Sequence, residues 1–310
     1  MKVAIIGRSE YLYETALVLI ENGFEIPLII TSKESPEYLY TSKDFQTLAS
    51  KYGAHFIHTP KINSPEIIAQ IKSCGKIDIA VSINYSGIIE NEIIHLFTLG
   101  ILNAHGGDLP RYRGNACMAW AIINKEKRVG LCIHKMIGGE LDSGNIILKK
   151  YLDININTRV GEIFNWMRKE IPFMMFNALK MLNSNPFYIL EEQSKNRTEA
   201  MRTYPRVPED GKIDWTKSNE DILRLINASS EPFSGAFCVY NEQKLIIWNA
   251  ELLDDYENYL AIPGQIAEIS KSGYAIIITG KGKLKLNMIE YLNKKSIPNE
   301  VFKSIRYRLK

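Results

Sequence analysis

The chain has 310 residues, 45% hydrophobic and 24% charged, with a net charge of +3, which is the composition of an ordinary globular protein. So small a charge argues against a dedicated nucleic-acid binder, no apolar run reaches the roughly 18 to 20 residues that cross a bilayer, and the length exceeds the ~250 to 300 residues at which a single core stops growing, so two domains are expected. Cys74, Cys117, Cys132 and Cys238 form no Cys-x-x-Cys pair and the five histidines show no ligand spacing, so neither a disulfide framework nor a metal site is expected.

The N-terminus carries a charge at Arg8 after a short apolar run and reads as a first strand over residues 2–7, not as a signal peptide, which implies a cytoplasmic protein. Residues 9–23 have helical spacing through Leu12, Ala16, Leu19 and Ile20 before a glycine stop. This βα unit lacks Gly-x-Gly-x-x-Gly, so it is a poor dinucleotide site. Gly7-Arg8-Ser9 suits either a phosphate at the helix start or a plain turn. Strands follow at 25–31, 54–58 and 77–83, alternating with helices at 42–52 and 64–74. The pattern predicts an α/β domain with a doubly wound, mostly parallel sheet, whose ligands lie beyond the carboxyl ends of the strands. Asn84-Tyr85-Ser86-Gly87-Ile88-Ile89 is one such end.

A second lies at residues 100–105. Alternation puts Asn103 and His105 on the same face of this strand, directly before Gly106-Gly107 and the loop Asp108-Leu109-Pro110-Arg111-Tyr112-Arg113-Gly114. An amide and an imidazole thus stand together at an open strand end. A helix is expected at 115–124, then strands at 129–137 and 145–152. The loop 138–144 between them delivers Asp142, a carboxylate able to orient His105 and favour its charged form. A long helix over 158–182 should kink near Pro172. Residues 203–211 read as a connector, with domains at 1–203 and 204–310. In the second, a helix at 218–228 precedes short strands at 235–240, 244–250, 264–270, 274–279 and 284–291, the pattern of a small barrel. The basic tail 303–310 reads as a solvated end.

Asn103-Ala104-His105, the Leu109-Pro110-Arg111-Tyr112-Arg113-Gly114 loop and Asp142-Ser143-Gly144 together resemble the folate-dependent formyltransferases, a family that includes methionyl-tRNA formyltransferase, glycinamide ribonucleotide transformylase and the sugar N-formyltransferases. The run Gly106 to Cys117 with Trp120-Ala121-Ile122 looks most like the sugar enzymes. The resemblance implies a Rossmann-like catalytic domain followed by an OB-like barrel, a homodimer, and 10-formyltetrahydrofolate as co-substrate without a metal. It places the pterin ring between Gly87, Ile88 and Ile89 on one side and Gly138, Gly139, Glu140, Leu141 and Asp142 on the other. It also implies an acceptor that is a dTDP- or UDP-linked amino sugar used in cell-surface polysaccharide or glycoconjugate synthesis, with no nucleic-acid partner and no membrane.

Formyl transfer to an amine requires stabilisation of an oxyanion and removal of a proton, which suits Asn103 as donor, His105 as base and Asp142 as its orienting partner. The sequence does not choose between His105 and Asp142 as first proton acceptor. Arg8, Arg111, Tyr112 and Arg113 are the candidates for the acceptor's diphosphate or sugar, since arginine offers bidentate phosphate contacts, although Arg111 and Arg113 equally suit structural roles. Two other readings stand beside this one. A methionyl-tRNA formyltransferase would carry a basic insertion in its first half and a strongly basic barrel, whereas residues 32–42 are mixed in charge. A non-catalytic folate or nucleotide-binding module would not need the Asn103, His105 and Asp142 set.

Overall fold

The computed structural model describes residues 1–196, 198–253 and 257–310. The chain divides into two compact units, one of Met1–Cys117, Val129–Leu152 and Asn165–Tyr204, the other of Met118–Arg128, Asp153–Phe164 and Pro205–Lys310. The second therefore takes up two short segments from within the first half of the chain, and the last crossing falls between Tyr204 and Pro205.

Elements alternate at first: β1 (Lys2–Gly7), α1 (Ser9–Glu21), β2 (Glu25–Thr31), α2 (Ser42–Tyr52), β3 (His55–His58), α3 (Pro65–Ser73), β4 (Ile79–Ile83), α4 (Asn91–Ile94) and β5 (Ile101–His105). Then come β6 (Arg113–Gly114), α5 (Cys117–Ile123), β7 (Arg128–Lys135), β8 (Ile146–Asp153), α6 (Val160–Ser184), which runs through Pro172, and β9 (Arg202–Thr203). The main sheet has the order β3-β2-β1-β4-β5-β7-β8. Its first five strands are parallel, and β7 runs antiparallel to β5. Continuous apolar runs such as Ile79–Ile83 are buried throughout, as strands covered on both faces must be. Ala4, Ile6, Leu28, Ile30, Ile57 and Ala80 form part of one core, against which Tyr85 and Met136 pack.

The strand order reverses between β1 and β4, the usual ligand crevice of a doubly wound sheet. Here that crevice is filled by the protein itself. Gly7 has φ +131°, and a Cβ there would stand 1.9 Å from the Ile83 carbonyl oxygen. Arg8 donates its backbone N–H to the same oxygen and its guanidinium to the carbonyls of Asn84 and Lys33, at 2.8 and 2.7 Å.

In the second unit, α7 (Asn219–Ser229) is followed by β10 (Ala236–Tyr240), β11 (Gln243–Leu252), β12 (Ile266–Ile269), β13 (Ala275–Ile278), β14 (Lys283–Tyr291), β15 (Lys294–Ser296) and α8 (Pro298–Val301). All paired strands are antiparallel, in the order β10-β11-β14-β13-β12 with β15 on β14. The two outer strands are joined by the chain's end, which the sequence had suggested as a solvated tail. Val239 and Lys310 exchange backbone hydrogen bonds of 2.7 and 2.9 Å, and Leu309 donates to the Gly264 carbonyl at 2.8 Å. Leu309 is 2% exposed and belongs to the core with Phe302, Trp215 and Ile266. The basic residues around it mask one apolar anchor and a pair of main-chain ladders, neither of which composition reveals.

The tight approach of β1 and β4 gives a stability test. Gly7→Ala should lower the unfolding free energy by about 3 kcal/mol through overpacking and a disfavoured φ. Gly23→Ala, at φ +81° with nothing within 4 Å of its Cβ, should cost about 1 kcal/mol. Urea midpoints at constant slope measure both, and equal losses would contradict the packing described.

Candidate active site

The β5–β7 register builds the site. Asn103 lies opposite His134, and His105 opposite Cys132, in the antiparallel ladder. Cross-strand neighbours on one face meet, and Asn103 Nδ2 is 3.1 Å from His134 Nε2. His134 Nδ1 lies 2.9 Å from the Lys135 carbonyl, which can only accept, so Nδ1 carries a proton. Asp142 enters from the loop after β7. Its Oδ2 is 3.4 Å from His105 Nδ1 and accepts the Gly114 backbone N–H at 2.8 Å, while Oδ1 lies 3.5 Å from both His134 Nε2 and Asn103 Nδ2. The structure thus brings Asn103, His105 and Asp142 together around a single carboxylate.

His105 is 7% exposed. Its Nε2 donates to the Tyr112 carbonyl at 2.6 Å, with the Cys117 thiol 3.7 Å away. Both ring nitrogens therefore face acceptors, an arrangement that the doubly protonated imidazolium satisfies. Burial alone pulls the imidazole down, but the Asp142 carboxylate, Cys117 and the Tyr112 carbonyl outweigh it, and the net shift is upward. Burial also pushes Asp142 up, yet His105, His134 and the Gly114 N–H hold it well below the usual carboxylate range. A histidine so placed can donate from both ring nitrogens.

Apolar side chains stand exposed on the loops near the carboxylate. Ile88 is 64% exposed, Ile137 41% and Leu141 37%, although each is on a loop next to the buried sheet. The two loops touch: Gly138 donates its N–H to Asn91 Oδ1 at 3.1 Å, and a Cβ at Gly138 would stand 2.2 Å from the Asn91 nitrogen. Asn63 holds the other loop by donating to the Ile88 carbonyl at 2.8 Å and accepting from Glu90 N–H at 3.1 Å. Gly87 and Ile89 lie on this loop, Ile89 turned into the core. Gly139 has φ +73°, and Glu140 accepts from Ser143 Oγ. Exposed apolar side chains next to loop backbone fit a flat heteroaromatic with polar edges. Among the described residues, no group of three or more His, Cys, Asp or Glu side chains is placed to hold a metal ion.

The arginine and tyrosine candidates do not form one cluster. Arg8 is tied to the β1–β4 crevice as described. Tyr112 is buried at φ +61°, and its ring lies under the Arg111 guanidinium at 5.4 Å. Arg113 donates Nε and Nη2 to Gln193 Oε1 at 3.2 and 2.7 Å. His134 and Gln193 escaped sequence reasoning. For His134 a signal existed, an imidazole inside an otherwise apolar buried strand. Gln193 gave none, sitting in a polar stretch without periodicity.

Comparison with known proteins shows the family. The family described as Formyl transferase matches residues 1–179, and Formyl transferase, C-terminal domain, matches residues 206–306. The methionyl-tRNA formyltransferase of Acetivibrio thermocellus is 26% identical over 297 residues, covering 94% of this chain and 92% of that protein. Among solved structures, WlaRD, a sugar 3N-formyl transferase crystallised with dTDP and 5-N-formyl-THF, superimposes with a TM-score of 0.67 at 20% identity, covering 95% and 98% of the two chains. The N-formyltransferase from Helicobacter canadensis, in complex with folinic acid and dTDP-3-aminofucose, gives 0.65 at 18% identity, covering 92% and 98%.

The charge state of the site has a direct spectroscopic consequence. In histidine-labelled protein, the imidazole assigned to His105 by its loss in His105→Gln should remain protonated well above ~6.5, and should titrate lower in Asp142→Asn. A raised histidine pKa stabilises the fold below ~6.5 and the benefit fades as pH rises through the folded value; a depressed aspartate pKa stabilises above ~3.9 and the benefit fades as pH falls through the folded value. The melting-temperature gap between wild type and Asp142→Asn should therefore be widest at about pH 4.5 to 6.5 and narrow on either side. A wild-type His105 titrating at or below ~6.5 would contradict the pairing.

Proposed function

The chain belongs to the formyl transferase family and is a folate-dependent formyltransferase; on that premise we propose that it formylates the amine of a nucleotide-linked amino sugar, with 10-formyltetrahydrofolate as donor. Charge distribution carries the choice of acceptor. Residues 205–310 hold fifteen Lys and Arg against fourteen Asp and Glu. A tRNA-binding barrel gains most of its affinity from neutralising phosphates and would be strongly basic.

The connection from β2 to α2 supports the same reading. It contains Lys33, Glu34 and Glu37, and it is drawn onto the domain by the stacked rings of Tyr13 and Tyr40, 3.9 Å apart, and by Arg8 over Tyr38 at 5.5 Å. Such a loop offers no basic finger to a nucleic acid. The second reading, a methionyl-tRNA formyltransferase, is favoured by the sequence relatives that carry this name.

When bound, the donor supplies an activated formyl carbon. Ile88, Ile137 and the backbone of residues 87–89 and 138–142 would hold its ring and exclude water. Asn103 Nδ2 donates toward the negative charge that develops on the carbonyl oxygen during acyl transfer, an effect of about 3 kcal/mol in such sites. The charged His105 adds a fixed positive field next to that oxygen. As the C–N bond to the amine forms and the C–N bond to the folate breaks, the proton leaving the amine is passed through the His105–Asp142 pair to the departing folate nitrogen. Arg111 on this loop would suit the acceptor's phosphate.

Purified protein with 10-formyltetrahydrofolate should formylate one member of a panel of dTDP- and UDP-linked amino sugars, read as folate release by absorbance and a gain of one formyl mass in the product. Asn103→Ala should lower kcat by about 100-fold or more, in line with the loss of one oxyanion donor. Turnover only with methionine-charged initiator tRNA would establish the second reading instead.

A further inference from the structure

Asp142 has φ +49°, in the left-handed region that residues with a Cβ avoid. Such a backbone persists only where its surroundings over-determine it. The carboxylate's own contacts do not fix the main chain, so another group must.

That group is Gln193. Its Nε2 donates both hydrogens to main-chain carbonyls on either side of the turn, Asp142 O at 2.9 Å and Gly144 O at 2.7 Å. Its Oε1 accepts the forked guanidinium of Arg113. Arginine has donors only, so this fork fixes which end of the amide is oxygen and aims the NH2 at the turn. Gln193 is 7% exposed. Arg113 is itself held by the β6–β9 pairing and by its N–H to the Met201 carbonyl at 2.8 Å. The next residue, Gly114, bonds Asp142 Oδ2.

We propose that Gln193 is a positioning residue for formyl transfer, the strut that locks the Asp142 turn onto the Arg113–Gly114 segment and thereby aims the carboxylate between His105 and His134, with Arg113 as its brace. This rests on the assignment of Asp142 to the reaction. Two of the five N–H donors of Arg113 are committed to a buried amide, so this edge of the fork serves the protein's own geometry.

The test uses Gln193→Met, which keeps volume and removes every hydrogen bond, and Gln193→Glu, which keeps an acceptor for Arg113 but turns a carboxylate toward two carbonyls. With the acceptor that turns over, kcat should fall about 10- to 100-fold in both, while KM for 10-formyltetrahydrofolate rises by less than kcat falls, since Gln193 holds only the Asp142 end of the ring-binding backbone. The second readout needs no acceptor: by NMR the His105 titration should move down toward its position in Asp142→Asn. The titratable groups facing that pair are Cys117 and His134, which all these variants retain. A purely structural glutamine would lower the urea midpoint and leave the titration where it was. Should Gln193→Met fail to fold, Arg113→Lys, which keeps the charge but not the fork, gives the same readouts, with an effect between wild type and Gln193→Glu. Wild-type kcat and titration in folded Gln193 variants, with Asp142→Asn inactive, overturns the strut. Wild-type turnover in Asp142→Asn overturns the assignment of the carboxylate itself.

Discussion

The site depends on one buried carboxylate held between two imidazoles. Removing an ion of that size from water costs several kcal/mol, and the cost is offset only by close pairing and satisfied lone pairs. Asp142 meets both conditions with groups from three places in the chain: His105 at the end of β5, His134 on β7, and the Gly114 N–H at β6. Each of those groups is in turn fixed by the sheet or by a main-chain hydrogen bond. The central sheet therefore has to carry an antiparallel strand beside β5, because only the β5–β7 ladder sets Asn103 directly against His134.

The parts of this arrangement that follow from local periodicity were readable in advance. Alternation alone put Asn103 and His105 on one face, and the apolar runs of β1, β2, β4 and β5 define a buried parallel sheet. Asp142 could be joined to them only through a resemblance of motifs, since nothing in a stretch of forty residues says that its far end folds back. His134 was hidden by register: an imidazole in an apolar strand is visible, but its partner is set by which residue of β5 it faces. Gln193 was hidden further, because a glutamine that bonds main-chain carbonyls has no sequence signature. The end of the chain misled for a related reason. Its charges are solvated as composition suggests, while Leu309 between them is a core residue and its backbone joins β10 to the Gly264 turn.

The division between what is common to a family and what distinguishes its members follows the same physics. On the function proposed, the exposed Ile88, Ile137 and Leu141 and the carboxylate cluster would answer to the donor and to acyl transfer, needs that any acceptor shares. Choice of acceptor must then lie in charge and loop shape away from the cluster, which is why the near-neutral second unit and the drawn-in β2–α2 connection weigh more than the site residues. Arg8 illustrates the point: an arginine at a strand end invites a phosphate reading, yet its guanidinium is occupied by the carbonyls of Asn84 and Lys33.

Preorganisation explains why so much of the protein's bonding converges on a few atoms. In acyl transfer the charge on oxygen exists only briefly, and a donor that has to rotate into place returns its reorganisation cost as a higher barrier. Here the Asn103 amide is oriented by His134, His134 by the Lys135 carbonyl, and His105 by Tyr112 and Asp142. The reorganisation is met during folding, when these strands and turns assemble. The left-handed turn at Asp142 is the local strain that results, and it is stable because it is spanned on both sides by hydrogen bonds from a side chain that is itself buried and braced. Loosening that turn would leave every side chain of the cluster present and the fold intact, yet it would return to the reaction the ordering cost that folding now carries.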